Sequence, residues 1–576
     1  MSARRGVFVF VLLIVLIGAA AVLYSLTSRT GGPVAPSSMV LDFDVPSNLE
    51  ECEMPFGPFS FAGFRSDRLT VWDVVHGIRR AASDDRVEAL VLHVDGIDWG
   101  WAKIAEVRDA LRAFRESGKP IFASVSGGGE AEYLLASVAN RICMPPTAML
   151  QLNGLTASAI FMRGAFDKFG LAPNFQHVGR YKSAVETYTD TGFSPFGRAA
   201  LEAILDDEYA LLVDSLASAR RLSADSVRAL LDMGPWDAAE ARERGLVDTL
   251  LHDLDVDSLA ARVGGKHLSS MSLSRYVWRL SESPTAARIA MVVASGTIAE
   301  GHSRESPTDG RIVGSETLIE ALRVARERGS VRAIILRIDS PGGSSDASDD
   351  IWREVARCRA RKPVVVSMSD LAASGGYYIA MGGTPILAQP STLTGSIGVY
   401  GGKLDIRGLF AKLGLSVESL SRGPHAQMLS PFESFTPEEK AIYQRHLDRF
   451  YATFLSRVAK SRGMGVEAVD SVAQGRVWTG LSARPRGLVD RFGGIEEAIA
   501  EARTRALIGR NADVVVDTYP RPEGSLFARA FAGLFNGGGT DQSLVDLPPV
   551  VQAWLAAARF PAGSGVALMP CLLEIR

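Results

Sequence analysis

The stretch VRAIILRID at residues 331–339 decides how this chain folds, because an earlier stretch, VEALVLHVD at residues 87–95, repeats its pattern. Each is a short apolar run of the kind that forms a buried strand. The tetrapeptide GLVD recurs in the same way, at residues 245–248 and 487–490. The offset between the copies stays at roughly 244 residues, which indicates a tandem duplication and lets each site in one half be compared with its counterpart.

Around these stretches, apolar runs alternate with amphipathic segments. This alternation favours βαβ units built around a largely parallel, buried sheet. The predicted strands lie at residues 39–43, 289–293, 333–338 and 363–368, and the predicted helices at residues 317–327 and 347–360. We therefore predict an α/β fold in two tandem domains: repeat 1 at residues 39–270 and repeat 2 at residues 286–515, with a C-terminal tail at residues 516–576.

The composition fits two globular domains and excludes several classes of protein. With 576 residues, 47% of them hydrophobic and 22% charged, the chain can form two sizeable cores. Its net charge of -3 comes without a basic stripe, so we expect no nucleic-acid partner. The cysteines lack CxxC spacing and nearby paired histidines, and so indicate neither a zinc site nor a disulfide framework. They are Cys52, Cys143, Cys358 and Cys571.

The N-terminal segment differs in composition from the rest of the chain. Residues 6–26 form an uncharged segment that is long enough to cross a bilayer as a helix, and Arg4 and Arg5 precede it. We predict a membrane anchor at residues 1–28 and a linker at residues 29–38, with the remainder outside the cytoplasm. A cleaved signal peptide is the alternative, although the apolar region is long for one.

The two copies differ where chemistry is expected. The second copy carries SPGG at residues 340–343 and ASGG at residues 373–376. At the corresponding places the first copy has Trp99 and Glu130, but it carries a lysine, Lys182, that the second copy lacks. A serine, a glycine-rich turn and a lysine are together the parts of a Ser-Lys hydrolase, divided here between two homologous halves.

Ser374 is the candidate nucleophile. It follows a predicted strand and opens a helix-compatible segment, so its hydroxyl would lie at the positive end of a helix. The backbone amides of Gly375 and Gly343 could then stabilise an oxyanion. Taken singly, a serine before two glycines is often a helix N-cap, and Pro-Gly-Gly is often only a turn.

Lys182 is the candidate base. The eight histidines are dispersed and form no triad motif, whereas a lysine can accept a proton if burial disfavours its charged form. Lys182 is followed by an uncharged run up to Glu186, which is compatible with a partly dry site. Most lysines are solvated surface residues. Lys182 is chosen as the candidate base because of its position within the duplicated sequence.

Four motifs also carry a family resemblance. They are GRYKSAVE at residues 179–186, IDSPGG at residues 338–343, ASGGYY at residues 373–378 and TGSIGV at residues 394–399. In these motifs, and over about residues 39–505, the chain resembles the signal peptide peptidase A (protease IV) family in its long tandem-repeat form.

The resemblance implies a ClpP/crotonase-like fold for each half and a role for each motif residue. Ser374 would be the nucleophile, Lys182 the general base, and the amides of Gly343 and Gly375 the oxyanion hole. Ser396 falls where the family has a hydroxyl that orients the lysine, but a plain turn role for it remains open. Neither a metal nor an organic cofactor is expected.

The resemblance further implies partners and a location. The expected substrates are residual signal peptides and other extended or unfolded peptides, and the expected assembly is a homo-oligomer, commonly a tetramer. The expected location is the bacterial inner membrane, crossed once, with the catalytic domains on the periplasmic side. Whether Lys182 and Ser374 meet within or between protomers is left open by the sequence.

Two other classes of protein need weighing. A crotonase-type acyl-CoA enzyme would share the fold, but it needs neither a serine nucleophile nor a lysine, and an exported chain would not meet coenzyme A. A catalytically inactive, peptide-binding scaffold is the stronger rival, because copy one already departs from the catalytic pattern. A serine-directed acylating probe would separate the enzyme from the scaffold.

Overall fold

A computed structural model shows two similar α/β halves that pack against each other. It describes residues 36–52, 68–280, 283, 285–306, 310–509 and 512–520, together with the backbone of residues 566–568 and 574–575. The predicted anchor, residues 29–35 of the linker and most of the tail lie outside the described residues. Within the described ranges, no helix is both long and apolar enough to cross a membrane.

The first half runs from residue 39 to residue 278. Its strands are β1 (Met39–Asp44), β2 (Val87–Val94), β3 (Ile121–Val125), β4 (Arg141–Met144), β5 (Met149–Leu150), β6 (Ala157–Ser158), β7 (Ala172–Val178), β8 (Trp236–Asp237), β9 (Thr249–Leu250) and β10 (Ser269–Ser272). Its helices are α1 (Val71–Ala82), α2 (Trp101–Glu116), α3 (Glu130–Ala136), α4 (Arg163–Phe169), α5 (Glu186–Thr189), α6 (Pro195–Arg220), α7 (Ala224–Met233), α8 (Ala238–Glu243), α9 (Asp253–Ala260) and α10 (Leu273–Trp278), with 3-10 turns at Ser183–Val185 and Val263–Gly265.

The second half begins at residue 287. Its strands are β11 (Ala287–Ser295), β12 (Thr297–Ala299), β13 (Arg304–Ser306), β14 (Gly310–Gly314), β15 (Val331–Ser340), β16 (Gly342–Ser344), β17 (Val364–Ala373), β18 (Ile386–Ala388), β19 (Leu393–Gly395), β20 (Val399–Asp405), β21 (Val477–Thr479), β22 (Arg491–Phe492), β23 (Val514–Tyr519), β24 (Val566–Leu568) and β25 (Glu574–Ile575). Its helices are α11 (Ser315–Glu327), α12 (Ser345–Arg359), α13 (Gly375–Ala380), α14 (Arg407–Lys412), α15 (Pro437–Arg462), α16 (Val466–Val472), α17 (Gly480–Ala483) and α18 (Ile495–Arg505).

The main sheets of the two halves have the same strand order. The first sheet runs β10-β1-β2-β3-β4-β9, and its strands are parallel throughout. In the second sheet the path β23-β11-β15-β17-β18-β22 is also parallel and repeats that order strand for strand. The prediction of an α/β fold with parallel, buried strands is confirmed.

Equivalent hydrogen bonds in the two halves support the duplication. The Tyr133 hydroxyl donates to the Leu246 carbonyl at 2.7 Å, and the Tyr377 hydroxyl donates to the Leu488 carbonyl at 2.8 Å. These tyrosines are 244 positions apart in the sequence, and each secures the helix after the third main strand. The repeated frame therefore extends to buried side-chain contacts.

One sheet is shared between the halves. Strand β7 of the first half pairs antiparallel with β20 of the second over seven residues. It forms the edge of a seven-stranded sheet with the order β13-β14-β12-β16-β24-β20-β7. This pairing matters because Lys182 lies four residues after the end of β7, and Ser396 lies three residues before the start of β20.

The apolar core also crosses between the halves. Alternate residues of β15 point to opposite faces of its sheet, as in any strand. Ile334 and Leu336 belong to the core of the second half, whereas Ile335 belongs to a cluster that includes Leu92 and Phe114 of the first half. The halves are therefore joined by buried apolar side chains as well as by β7.

A buried ionic cluster lies at the same boundary. Arg337 of β15 is fully buried, and its guanidinium lies 2.8 Å from Glu51 and 2.7 Å from Glu106, both of the first half. Burial alone would raise the pKa of Glu51, but Arg337 and Lys103 outweigh it and hold that pKa at about 2. Burial raises the pKa of Glu106 to about 7, with the neighbouring Glu51 charge contributing.

Lys103 of α2 completes the ionic cluster. Its ammonium lies 2.8 Å from Asp339 and 3.4 Å from Asp370, and the pKa of Lys103 is raised because these carboxylates outweigh its desolvation. The backbone N–H groups of Gly100 and Lys103 donate to Asp370 at 3.1 and 2.8 Å. Asp339 lies directly before the SPGG turn, and Asp370 lies on β17 four residues before Ser374. Contacts from the first half therefore fix the segments that lead into both candidate catalytic loops.

Candidate active site

Ser374 lies at the junction of β17 and α13, in a backbone conformation that few residues adopt. Its φ of 54° and ψ of -113° lie outside the regions favoured by L-residues, a strain that costs ~1–3 kcal/mol and that surrounding structure must hold. The Ser374 N–H donates to the Gly395 carbonyl at 2.8 Å, and the Ser374 carbonyl accepts from the Tyr378 N–H, which starts α13. The side chain is fully buried.

The two candidate oxyanion glycines are neighbours. A β-carbon placed on Gly375 would lie 3.1 Å from the Gly343 amide nitrogen, so β16 brings Gly343 next to the residue that follows the serine. Gly343 has a φ of +155°, and a β-carbon there would lie only 1.9 Å from the Ile298 carbonyl oxygen. Only glycine fits at this position, because any side chain would collide with the backbone of β12.

Lys182 reaches the serine from the first half of the same chain. Its Nζ atom lies 2.8 Å from the Ser374 Oγ atom and 2.9 Å from the Ser396 Oγ atom. Nζ also lies 3.0 Å from the Ser396 carbonyl oxygen, to which it donates. The structure therefore brings together Ser374, Lys182 and Ser396, and the pairing of lysine with serine is within one chain.

Burial makes Lys182 unusual among lysines. Only 1% of its surface is exposed, and desolvation holds the pKa of its ammonium well below the ordinary value of 10.5. In the described part of the chain no carboxylate offsets that desolvation, whereas Lys103 keeps its charge beside three of them. A lysine that is neutral near working pH can accept a proton.

A close backbone contact fixes the Lys182 loop. The Tyr181 N–H donates to the Gln474 carbonyl at 2.8 Å, and a β-carbon on Gly475 would lie 2.6 Å from the Lys182 amide nitrogen. Gly475 in turn donates through its N–H to the Ile397 carbonyl at 2.8 Å, one residue from Ser396. The loops carrying the lysine and its partner hydroxyl are therefore stacked on one segment of the second half.

Ser396 also has a left-handed backbone, with a φ of 49°. Its N–H donates to the Arg476 carbonyl at 2.8 Å, and its side chain is fully buried. Both oxygens of this residue face the lysine Nζ atom, so a plain turn role does not account for its contacts. Ser396 is therefore placed where both of its oxygens contact the same Nζ atom that contacts the Ser374 hydroxyl.

Sequence reasoning missed several residues that shape this site. The Gly398 carbonyl oxygen lies 3.5 Å from the Ser374 Oγ atom, and Ser348 packs against Gly375 from α12. The ionic cluster around Arg337 and Lys103 was also missed. Arg337 did carry a signal, because an arginine inside an apolar strand must find buried partners.

A possible metal site elsewhere is better explained as an ion pair. Ligand atoms of Asp42, Asp44 and His93 lie within 4.8 Å of one another on β1 and β2. The His93 Nε2 atom, however, lies 3.2 Å from Asp42 and 3.0 Å from Asp257. A hydrogen bond to Asp42 and the nearby carboxylates raise the pKa of His93 to about 9, so an ion pair accounts for this cluster.

The fold and site define an α/β protein whose two homologous halves jointly build a buried serine–lysine pair. A protein-family model described as "Peptidase family S49" matches residues 113–262 and 356–508, one segment in each half. The chain belongs to peptidase family S49 and is a serine-type peptidase.

Three relatives align along most of the chain. "Serine protease SPPA, chloroplastic" of Arabidopsis thaliana is 37% identical over 456 residues, 78% of this chain and 67% of the relative. "Protease 4" of Salmonella typhi is 34% identical over 76% of this chain and 73% of its own length. "Protease 4" of Haemophilus influenzae is 30% identical over 78% of this chain and 75% of its own length. The predicted resemblance to the signal peptide peptidase A (protease IV) family is confirmed.

A structural comparison adds little to this assignment. A ClpP1 mutant from Listeria monocytogenes aligns with 36% of this chain and 94% of its own, at 14% identity and a TM-score of 0.24. At that score the alignment supports no argument about fold or function.

Proposed function

We propose that this chain is a serine endopeptidase that uses a Ser374–Lys182 dyad to hydrolyse residual signal peptides and other extended apolar peptides. The observation that carries the proposal is the 2.8 Å distance between the Lys182 Nζ and Ser374 Oγ atoms in a buried site. A buried neutral amine beside a hydroxyl can remove its proton, and a strained turn presents that hydroxyl.

The steps follow from these positions. Neutral Lys182 takes the Ser374 proton as Oγ attacks the peptide carbonyl, and the amides of Gly343 and Gly375 stabilise the negative oxygen. The lysinium then protonates the leaving amine and returns to the neutral state. Water attacks the acyl-enzyme by the same route in reverse, with Lys182 accepting the water proton and Ser374 recovering its own. Ser396 holds Nζ in place throughout.

An extended peptide substrate would pair with the edge of β16, the strand that carries Gly343. In the structure β24, from the C-terminal tail, pairs antiparallel with β16, placing Ala567 opposite Gly343, and pairs also with Tyr400 of β20. This pairing supports the proposal that an extended backbone fits between β16 and β20. A peptide bound there by main-chain hydrogen bonds would pass directly by Ser374.

The remaining features of the proposal come from the family resemblance. Each half would have a ClpP/crotonase-like fold, and residues 1–28 would anchor the chain as a single span. The catalytic halves would then face the periplasm of a bacterial inner membrane. A homo-oligomer, commonly a tetramer, would enclose the sites and limit access to extended peptides.

Hydrolysis of a fluorogenic apolar peptide tests the dyad. The full chain in detergent should cleave the peptide, and Ser374→Ala and Lys182→Ala should each abolish cleavage while remaining folded. Ser226→Ala and Lys266→Ala, which change exposed residues of the first half, are matched controls that should retain activity. Activity surviving Ser374→Ala would contradict the nucleophile assignment. A folded parent that neither cleaves peptides nor reacts with a serine-directed acylating probe would instead favour the inactive scaffold.

A further inference from the structure

A cavity of about 390 Å³ lies at the boundary between the two halves. Helices α2 and α6 of the first half form one side, and the segments around Pro390 and Phe492 of the second half form the other. Neither Ser374 nor Lys182 lines it, so it is separate from the candidate active site.

Arg108 lines this cavity as a buried cation without a carboxylate partner. Its residue surface is 4% exposed, and within the described residues its only side-chain hydrogen bond is from Nη2 to the Ser137 Oγ atom at 3.2 Å. The Nε atom is buried and has no hydrogen-bond partner there. Burial lowers the pKa of Arg108 to about 9, with the nearby Arg112 charge contributing.

Glu208 lines the same cavity as a buried acid that is also unpartnered. Its residue surface is 2% exposed, and in the described part of the chain its carboxyl group makes no hydrogen bond or ion pair. Burial raises the pKa of Glu208 well above 4.5, and the nearby Asp207 and Asp370 carboxylates add to the shift. Buried polar groups are almost always satisfied in native proteins, so the unsatisfied Nε atom of Arg108, on the same cavity as an acid with no protein partner, needs an explanation.

The rest of the wall mixes apolar side chains with polar ones, among them Asp109, Arg112 and Glu497. Trp101, Leu134, Leu211 and Phe492 contribute the apolar part. In the described part of the chain, no ion pair joins Arg108 to Glu208. The cavity therefore offers a hydrogen-bond donor for an anion at Arg108, an acceptor for a cation at Glu208, and apolar surface between polar groups.

We propose that this inter-half cavity binds a zwitterionic apolar amino acid or short peptide, with its carboxylate on Arg108 and its ammonium group on Glu208. A guanidinium matches a carboxylate in shape and charge, and the apolar part of the wall around Trp101, Leu134, Leu211 and Phe492 accommodates the side chains. Hydrolysis of apolar peptides releases molecules of this class, and that link, unlike the binding itself, rests on the proposed function.

Binding can be measured by isothermal titration of L-leucyl-L-leucine into the full-length Ser374→Ala protein, which cannot turn the dipeptide over. We expect saturable binding with one site per chain. Arg108→Met and Glu208→Gln should each weaken it at least tenfold, whereas Arg228→Met, at an exposed arginine on α7, should leave it unchanged. Because Glu208 must ionise to receive the ammonium group, binding near neutral pH should release protons. The measured binding enthalpy should then change with the ionisation enthalpy of the buffer.

Ligand variants keep the proposal testable even if a cavity variant fails to fold. The C-terminal amide and the N-acetyl form of the dipeptide should each bind at least tenfold more weakly to the unaltered cavity. The absence of saturable heat would overturn the proposal and leave a water-filled cavity. Binding that ignores Arg108→Met or the capped ends would place the dipeptide elsewhere, the substrate groove included. None of these outcomes depends on peptidase activity, so failure of the binding proposal and failure of the proposed function can be told apart.

Discussion

The two halves place different chemistry on the same frame. At the position equivalent to Ser374 the first half has Glu130, whose carboxylate accepts from the N–H groups of Asn153 and Gly154 at 2.8 Å each. Two residues later Glu132 accepts from the N–H groups of Ile97 and Gly129. The first half thus satisfies its loop amides with its own carboxylates.

The second half has no such carboxylates in its equivalent loop. Gly376 stands where the first half has Glu132, and a β-carbon there would lie 2.7 Å from the Ser340 carbonyl oxygen. The serine loop of the second half then receives Lys182 from the first. One half of the duplicated frame thus carries the candidate nucleophile and the candidate oxyanion glycines, and the other contributes the Lys182 side chain and the supporting surface.

The largest expected effect separates Ser374 from Glu130. Ser374→Ala should lower kcat by a thousandfold or more, as removal of a nucleophile commonly does. Glu130→Ala should leave kcat within about twofold, because its carboxylate is tied to backbone amides of the first half, and should cost ~1 kcal/mol of stability. Peptide hydrolysis and urea unfolding of both variants measure this. Equal losses of activity would break the comparison between the halves.

The next largest effect concerns the ionic cluster that joins the halves. Lys103→Met would leave Asp339 and Asp370, which are partly buried, without their cation, and breaking such a pair should cost ~2–4 kcal/mol, somewhat less than for a fully buried pair. Denaturant unfolding should show this loss together with reduced activity. Arg228→Met, which breaks an exposed pair with Asp225, is the control and should cost less than ~1 kcal/mol. If both variants behave alike, the cluster does not hold the halves together.

Gly343→Ala tests the oxyanion loop. The added β-carbon would collide with the Ile298 carbonyl and displace the Gly343 amide, so kcat should fall by about 10²–10³. Gly329→Ala is a suitable control because nothing lies within 4 Å of its added carbon. Steady-state kinetics should show the loss in kcat rather than KM. An unchanged kcat would remove Gly343 from the oxyanion hole.

Lys182 should govern the dependence on pH. Its pKa is lower in the folded chain than in the unfolded one. Between that lowered pKa and pH 10.5, the Lys182 amine therefore binds a proton in the unfolded chain but not in the folded chain. The lysine therefore reduces stability increasingly as the pH falls from 10.5 toward its folded pKa. Lys182→Met should be inactive yet have a higher Tm at pH 7 than the parent.

The parent enzyme offers a second measure of the same shift. Its kcat/KM should decline as the pH falls through the lowered pKa of Lys182 and should reach its plateau well below pH 10.5. Exposed lysines such as Lys266 should not affect the profile. A plateau reached only above pH 10 would contradict a lysine neutralised by burial.

Ser396→Ala should have the smallest effect. It removes one of the two Ser396 oxygens near Nζ, and the carbonyl at 3.0 Å remains. Loss of one such hydrogen bond, ~1 kcal/mol, should lower kcat about tenfold or less. Ser396→Thr, which keeps the hydroxyl, should recover part of the loss. An Ala variant as impaired as Lys182→Ala would give Ser396 a larger role than orientation.

The local pattern of the sequence was enough to predict the central strands. Runs predicted at residues 333–338 and 363–368 are observed as β15 and β17. Both strands extend further than predicted, because polar residues such as Asp339 and Asp370 continue them where partners from the first half satisfy their charges. An apolar pattern cannot show where such a partner will lie.

The candidate site could be named from its motifs but not assembled from them. Ser374, Gly375 and Gly343 lie in short motifs of the second half, and Lys182 stood out through comparison with the first. Their meeting depends on the pairing of β7 with β20, more than 200 residues apart in sequence. Long-range register of this kind is set by the packing of whole halves, which no local signal encodes.

Mixing of inactive variants tests the central account most directly. Ser374→Ala and Lys182→Ala chains would be expressed separately and together, with different affinity tags to isolate mixed assemblies. Because the structure forms the dyad within one chain, each chain of a mixed assembly lacks one member, and peptide hydrolysis should stay at the background of the single variants. Recovery of a substantial fraction of parental activity in the mixed assemblies would contradict the account and place lysine and serine on different protomers.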